Sequence, residues 1–176
     1  MGIASIFLHT AVKRFAFYKD LGDKTFVQLQ DADFRFQPND ASNCMAVIIQ
    51  HVSGNMLSRW TNFLIEDGEK EWRNRDAEFE TQVYSKEQLL VIWEKGWICL
   101  FDSLAVLKEE DLLKTIYIRK EEQSVIDAIH RQLAHYSYHV GQIVYLGRLI
   151  QNNQWQSLSI PKGESVAYNQ QMDNKK

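Results

Sequence analysis

Cysteine and proline are scarce in this chain of 176 residues, with two of each. Cys44 and Cys99 lie far apart, match no zinc or redox spacing, and sit in apolar helical patterns as small core residues. No disulfide framework is implied, which suits a reducing compartment. A membrane span needs an apolar run of about 18 to 20 residues, and the chain has none. The N-terminal stretch MGIASIFLHTAVKRF lacks a basic start and places Lys13 and Arg14 too early for a signal-peptide core. It reads as the start of a helix, and the expected location is the cytoplasm. Charge of one sign is also missing. The net charge is −3, which gives no clustered basic footprint for nucleic acid, so neither nucleic acid nor membrane is expected as a partner. No internal repeat of fixed period is evident.

What the chain does have is apolar bulk, with 45% hydrophobic and 12% aromatic residues, enough for one domain with a real core. Ile3, Phe7, Val12, Phe15 and Leu21 recur at roughly helical spacing over 3–21, and the pattern can run on to Leu29. Residues 31–40, with Pro38, read as an extended linker. A second helix is expected over 43–65, capped by Ser42 or Asn43. Gly54 in its middle costs about 1 kcal/mol relative to alanine, and close approach of another helix or a ligand would compensate. Ser85 and Gln88 form a capping-box pattern that opens a third helix over 85–107. Residues 108–114 read as a turn with a short helix, and TIYIR, 115–119, as a short extended segment. Ser124 as N-cap and Asp127 in the first turn open a fourth helix reaching residue 151. Its expected packing seam is Ile126, Ile129, Leu133, Val140, Val144 and Gly147. The expected fold class is all-α: a four-helix bundle, up-and-down or crossover, with short extended segments in the connections. Residues 1–162 make the domain, and 163–176 form a polar, mobile tail.

The fourth helix carries His135 and His139. A spacing of four puts two side chains on one face, a turn apart, so two imidazoles can share a metal ion. His130, five residues before His135, is turned by about 140° and points away. His51, on the buried stripe of the second helix, is the candidate third ligand. Neutral imidazoles suit Zn, Ni or Fe, with Mn a fourth candidate. Three histidines without a fourth protein ligand leave a position open, as in catalytic sites. The zinc-peptidase motif HExxH is absent, because Tyr136 follows His135. The competing reading is a set of satisfied core histidines that stack on Tyr136 and Tyr138. Asn55, one turn after His51, and Gln142 can orient ligands or water. The charged stretch 66–81 holds Arg73, Arg75 and Asp76 around Trp72 without hydrophobic periodicity. It reads as a solvated loop, or as a structured one whose arginines present forks to a carboxylate or phosphate.

The segments NCMAVIIQHVSGNMLSRWTNFLIEDGEKEWRNRDAEFE and IHRQLAHYSYHVGQIVYLGRLI, with the elements HxxxHxGQ and RNRDxEF, resemble an uncharacterised branch of the DinB/YfiT-like superfamily over roughly residues 5–152. The resemblance implies a four-helix bundle, often a homodimer, with one divalent metal on His51, His135 and His139. It also implies a small-molecule substrate. Characterised relatives include S-transferases and isomerases that use a low-molecular-weight thiol, and metal-dependent hydrolases of small molecules. The expected function is a metal-dependent enzyme, thiol transferase-like on small electrophiles. Alternatives are hydrolysis of small amides or esters, and a non-enzymatic metal-binding stress-response or interaction module. No catalytic nucleophile or general base stands out.

Overall fold

The computed structural model describes residues 2–80 and 82–174; Met1, Thr81, Lys175 and Lys176 lie outside the described residues. The chain is mostly helical, with five α-helices and one two-stranded hairpin among the described residues: α1 Ile3–Val27, α2 Met45–Trp60, α3 Lys86–Ala105, β1 Thr115–Ile118, β2 Glu121–Ser124, α4 Val125–Gln151 and α5 Ser165–Asp173. α2 packs most extensively on α3 and α1 on α4, with further contacts of α2 to α4 and of α1 to α3. None of the described helices is long and apolar enough to cross a membrane.

α2 is the innermost helix. Every residue in it is buried except Gly54 and Leu57, which are half-buried. Such a helix has no solvent face, so its polar residues must find partners inside. Ser53 does so by donating to the Ile92 carbonyl at 2.6 Å, across a close approach of α2 to α3. Gly96 permits that approach: a Cβ there would lie 2.9 Å from the Ser53 Cα.

Several boundaries differ from the sequence expectation. α2 begins after Cys44 rather than at a Ser42 or Asn43 cap, and it ends at Trp60 instead of running to 65. Asn62 adopts a positive φ of 50° and turns the chain. Phe63 stays buried beyond the helix end by packing its ring 5.0 Å from that of Trp60. The 31–40 linker is not wholly extended: Asp31–Arg35 form a 3-10 turn that buries Phe34 against Phe26. α3 opens as expected, with Ser85 and Gln88 bonded reciprocally, and Ser124 caps α4 by accepting from the Asp127 amide.

On α4 the seam is rotated from its expected line. Ile129, Gln132, Tyr136, Val140, Ile143 and Gly147 are buried, while Ile126, Leu133 and Val144 are only half-buried. Tyr136 can sit at the centre because its hydroxyl is satisfied. It accepts from Trp60 Nε1 and donates to Asn55 Oδ1, both at 3.1 Å. The expected tail contains α5, which buries none of its residues.

TIYI is extended as expected, but the strand stops short of Arg119; EEQS pairs with it, Thr115 opposite Ser124 and Ile118 opposite Glu121. Arg119 and Lys120 make the turn with φ of 56° and 65°, a conformation usually left to Asn and Gly. The Asp67 carboxylate supports it by accepting both backbone N–H groups at 2.8 Å. This ties the hairpin to the charged 66–80 stretch and brings Arg119 beside Glu69.

Candidate metal centre

α2 and α4 bring His51, His135 and His139 together. One nitrogen from each ring lies within 4.8 Å of the other two. His135 Nε2 is 3.4 Å from His51 Nε2 and 3.1 Å from His139 Nε2. Two nitrogens bound at 2.0–2.1 Å to one tetrahedral ion stand about 3.3 Å apart. The two pairs that share His135 therefore have the spacing of a ligand set.

The outer nitrogens decide which atoms face inward. His51 Nδ1 is 3.0 Å from Glu78 Oε2, and His139 Nδ1 is 2.8 Å from Gln142 Oε1. A carboxylate and an amide oxygen only accept, so both Nδ1 atoms carry the proton. Each Nε2 of these two rings is then a lone pair aimed at His135. A proton on one nitrogen can relieve only one such pair at a time, whereas one cation could serve all three. Two of the rings, His135 and His139, are also held neutral. Burial, with the neighbouring His139 and His51, pushes the His135 imidazole down to about 3, and burial lowers His139 against the opposing bond from Gln142. Neutral imidazole is the form that ligates metals.

Glu78 is the member that the sequence reading missed. Its side chain is nearly buried, and Arg73 grips it bidentately, Nε to Oε1 at 2.7 Å and Nη2 to Oε2 at 2.9 Å. Burial would raise this carboxyl, but the bonds from His51 and Arg73 hold it below the usual range. A carboxylate behind an imidazole is the usual brace of a metal-ligating histidine. Two sequence signals pointed here, the RNRDxEF element, whose acid is Glu78, and the mid-helix Gly54. A Cβ at that position would collide with the Glu78 carboxylate, so the glycine makes room for this residue.

The other singled-out residues are placed as follows. Asn55 is anchored by Tyr136 and, with His51, His135 and Gln132, lines a cavity of about 240 Å³. Arg73 and Arg75 line it as well. Arg73 is committed to Glu78 and does not offer a free fork. Arg75 is half-exposed, 5.0 Å over the ring of Phe79, which packs on His51. Asp76 is 98% exposed at its side chain and is 3.9 Å from Arg75. The stretch 66–80 is a structured loop, with Lys70 and Glu78 buried, and not a solvated one. His130 is exposed and packs on Phe7, away from the cluster.

Fold and site define a helical protein with a cluster of three imidazoles, one buried and two half-buried, able to hold one metal ion. The chain belongs to the family described as protein of unknown function (DUF1572), which it matches over residues 2–164. No curated protein matches it.

Proposed function

We propose that this chain is a metal-dependent enzyme of the DinB-like four-helix-bundle type. In this reading His51, His135 and His139 hold one divalent ion, and the reaction is transfer of a small thiol to an electrophile. The observation that carries it is the convergence of three Nε2 atoms, two of them fixed as lone pairs by acceptors on the outer nitrogen. The family's place in the DinB/YfiT-like clan supports the same reading. When bound, the ion would act as a Lewis acid that favours the ionised form of a thiol or of water.

The chain's own residues favour the thiol. Among the described residues no carboxylate lines the cavity, and Glu78 is spent on His51 and Arg73, which leaves no free carboxylate there as a general base for hydrolysis. A thiol needs little help to ionise. Its sulfur bonds to the electrophilic carbon, the leaving group departs with its electron pair, and the thiol proton passes to solvent. Asn55, held by Tyr136, keeps its amide N–H groups available to orient the electrophile. A homodimer in the cytoplasm belongs to the same proposal.

Metal content by plasma mass spectrometry tests it, on protein purified without an affinity-metal column. We expect about one Zn, Ni, Fe or Mn per chain, lost in His51→Ala and in His135→Ala, followed by turnover of a thiol with an electrophile. A wild-type chain without metal, and with none taken up on reconstitution, would sink the enzyme reading.

A further inference from the structure

The cavity beside the imidazoles is lined by five arginines: Arg59, Arg73, Arg75, Arg119 and Arg131. They reach it from α2, the 66–80 loop, the hairpin turn and α4. Such convergence is costly unless anions share the space. The protein supplies too few. Arg59 and Arg119 share a single oxygen of Glu69, at 3.0 and 2.9 Å. Glu78 neutralises Arg73 but serves His51 with the same carboxylate. Arg75 has only the solvent-exposed Asp76 at 3.9 Å. Arg131 has no ion pair and no side-chain hydrogen bond among the described residues.

Arg131 stands one turn before His135 on α4, so both project over the same part of the helix surface. The pairs built on Glu69 and Glu78 are fixed background. Arg59 is tied further by donating to the Gly68 carbonyl. The forks of Arg131 and Arg75 remain open. A second observation points to a ligand in the same place. Gln132 is 97% buried (3% exposed) and lines the cavity, yet its Oε1 has no hydrogen-bond partner among the described residues. Buried acceptors are rarely left so, and this one calls for an N–H or O–H donor from whatever fills the cavity.

We propose that this cavity is an oxyanion chamber in which Arg131 and Arg75 hold a carboxylate or phosphate group of a small molecule that also presents a hydrogen-bond donor to Gln132. The inference rests on the proposed function in one respect: the anion belongs to that reaction's thiol or electrophile. Planar guanidinium forks match both oxyanions, and Arg131 and Arg75 present theirs at the exposed mouth of the cavity. The cavity volume, about 240 Å³, is enough for a small acid.

Calorimetric titration of the full chain with inorganic phosphate and with glutarate, at low salt, tests the chamber. We expect at least one of them to bind, and the one that does identifies the group. Arg131→Gln and Arg75→Gln should each weaken binding by about 10-fold or more, the effect of losing one charge-assisted contact. Arg148→Gln, an exposed arginine 13 residues beyond His135 on α4 and so about 20 Å along the helix, should leave it unchanged. Failure of both anions to bind overturns the inference. So does binding that is insensitive to both cavity variants, whether or not a chelator abolishes it. Metal content measured on the same samples separates the two readings. A metal-free chain that binds the anion through Arg131 keeps the chamber and removes the enzyme, and a metal-loaded chain that binds neither anion does the reverse.

Discussion

His51 and His139 both turn an Nε2 toward His135, yet their outer nitrogens are held by different kinds of partner. His139 leans on Gln142, a neutral side chain three residues further along its own helix. His51 leans on Glu78, a buried charge 27 residues away that is itself clamped by Arg73. The first brace comes with the helix and needs no other element. The second exists only when the 66–80 loop has docked on α2. We infer that the His139 brace forms with α4, and that the His51 brace couples metal affinity to the packing of a loop.

Breaking the charged brace should have the largest effect. Arg73→Met leaves Glu78 buried with only His51 beside it, and removing one partner of a buried pair costs about 3–5 kcal/mol. Denaturant midpoints would show it, and a loss below about 1 kcal/mol would mean that the loop is less tightly docked than its contacts indicate.

Acid distinguishes the two kinds of group in the metal-free protein. The His135 imidazole is held near 3 when folded, against 6.5 ordinarily, so the unfolded chain takes up more protons in between. Stability is therefore fully present above about pH 6.5 and is lost progressively toward pH 3. Glu78 is depressed from 4.5, so its contribution is present above that value and is lost as pH falls through its lower folded value. Thermal melts should decline first across the histidine window, then more steeply below pH 4.5. Asp67 and Glu69 are depressed as well, so Glu78→Gln should shrink the second decline without abolishing it, and should keep the first. The same variant should weaken metal binding by about 10- to 100-fold, the range for losing a carboxylate behind a ligating histidine. Chelator competition reads that number, and an unchanged affinity would reduce Glu78 to a packing residue.

Gly54 sharpens the comparison from the backbone side. In an exposed helix Gly→Ala gains about 1 kcal/mol. Here the added methyl meets the Glu78 carboxylate, so Gly54→Ala should instead cost about 1–2 kcal/mol. In a Glu78→Ala background the same change should become stabilising. A gain in both backgrounds would show that Glu78 does not need that space.

The difference between the braces also explains what could be read in the sequence. His135, His139 and Gln142 share one helical period, and His51 lies on a recognisable apolar stripe, so their meeting follows from helix geometry. Ser85 and Ser124 announce their helices by local hydrogen bonds that the sequence spells out. Glu78 carries no such local mark: it is the acid of the RNRDxEF element, but that stretch has no period, and its role depends on Arg73 and on a gap in α2. The α4 seam was misplaced for a related reason. Hydropathy favours Ile126, Leu133 and Val144, but the buried line passes through Gln132 and Tyr136. Asn55 and Trp60, far away in sequence, satisfy the Tyr136 hydroxyl. β2 was unread because EEQS is not β-prone and its turn has no glycine; Asp67 supplies the bonds that hold the turn.

The smallest effect belongs to the local brace. Gln142→Ala removes a neutral acceptor from a half-buried imidazole, where water can take its place. Metal affinity should fall by less than about 10-fold, below the Glu78 range. Gln142→Glu turns the comparison around, because it gives His139 the charged acceptor that His51 already has. The carboxylate would raise the basicity of the ring and lock its Nδ1–H tautomer, so affinity should rise a few-fold. If both variants move affinity as much as Glu78→Gln does, charge and burial at the outer nitrogen are not what separates the two histidines. Chain distance alone would then remain as the difference between a brace that travels with its helix and one that waits for a loop.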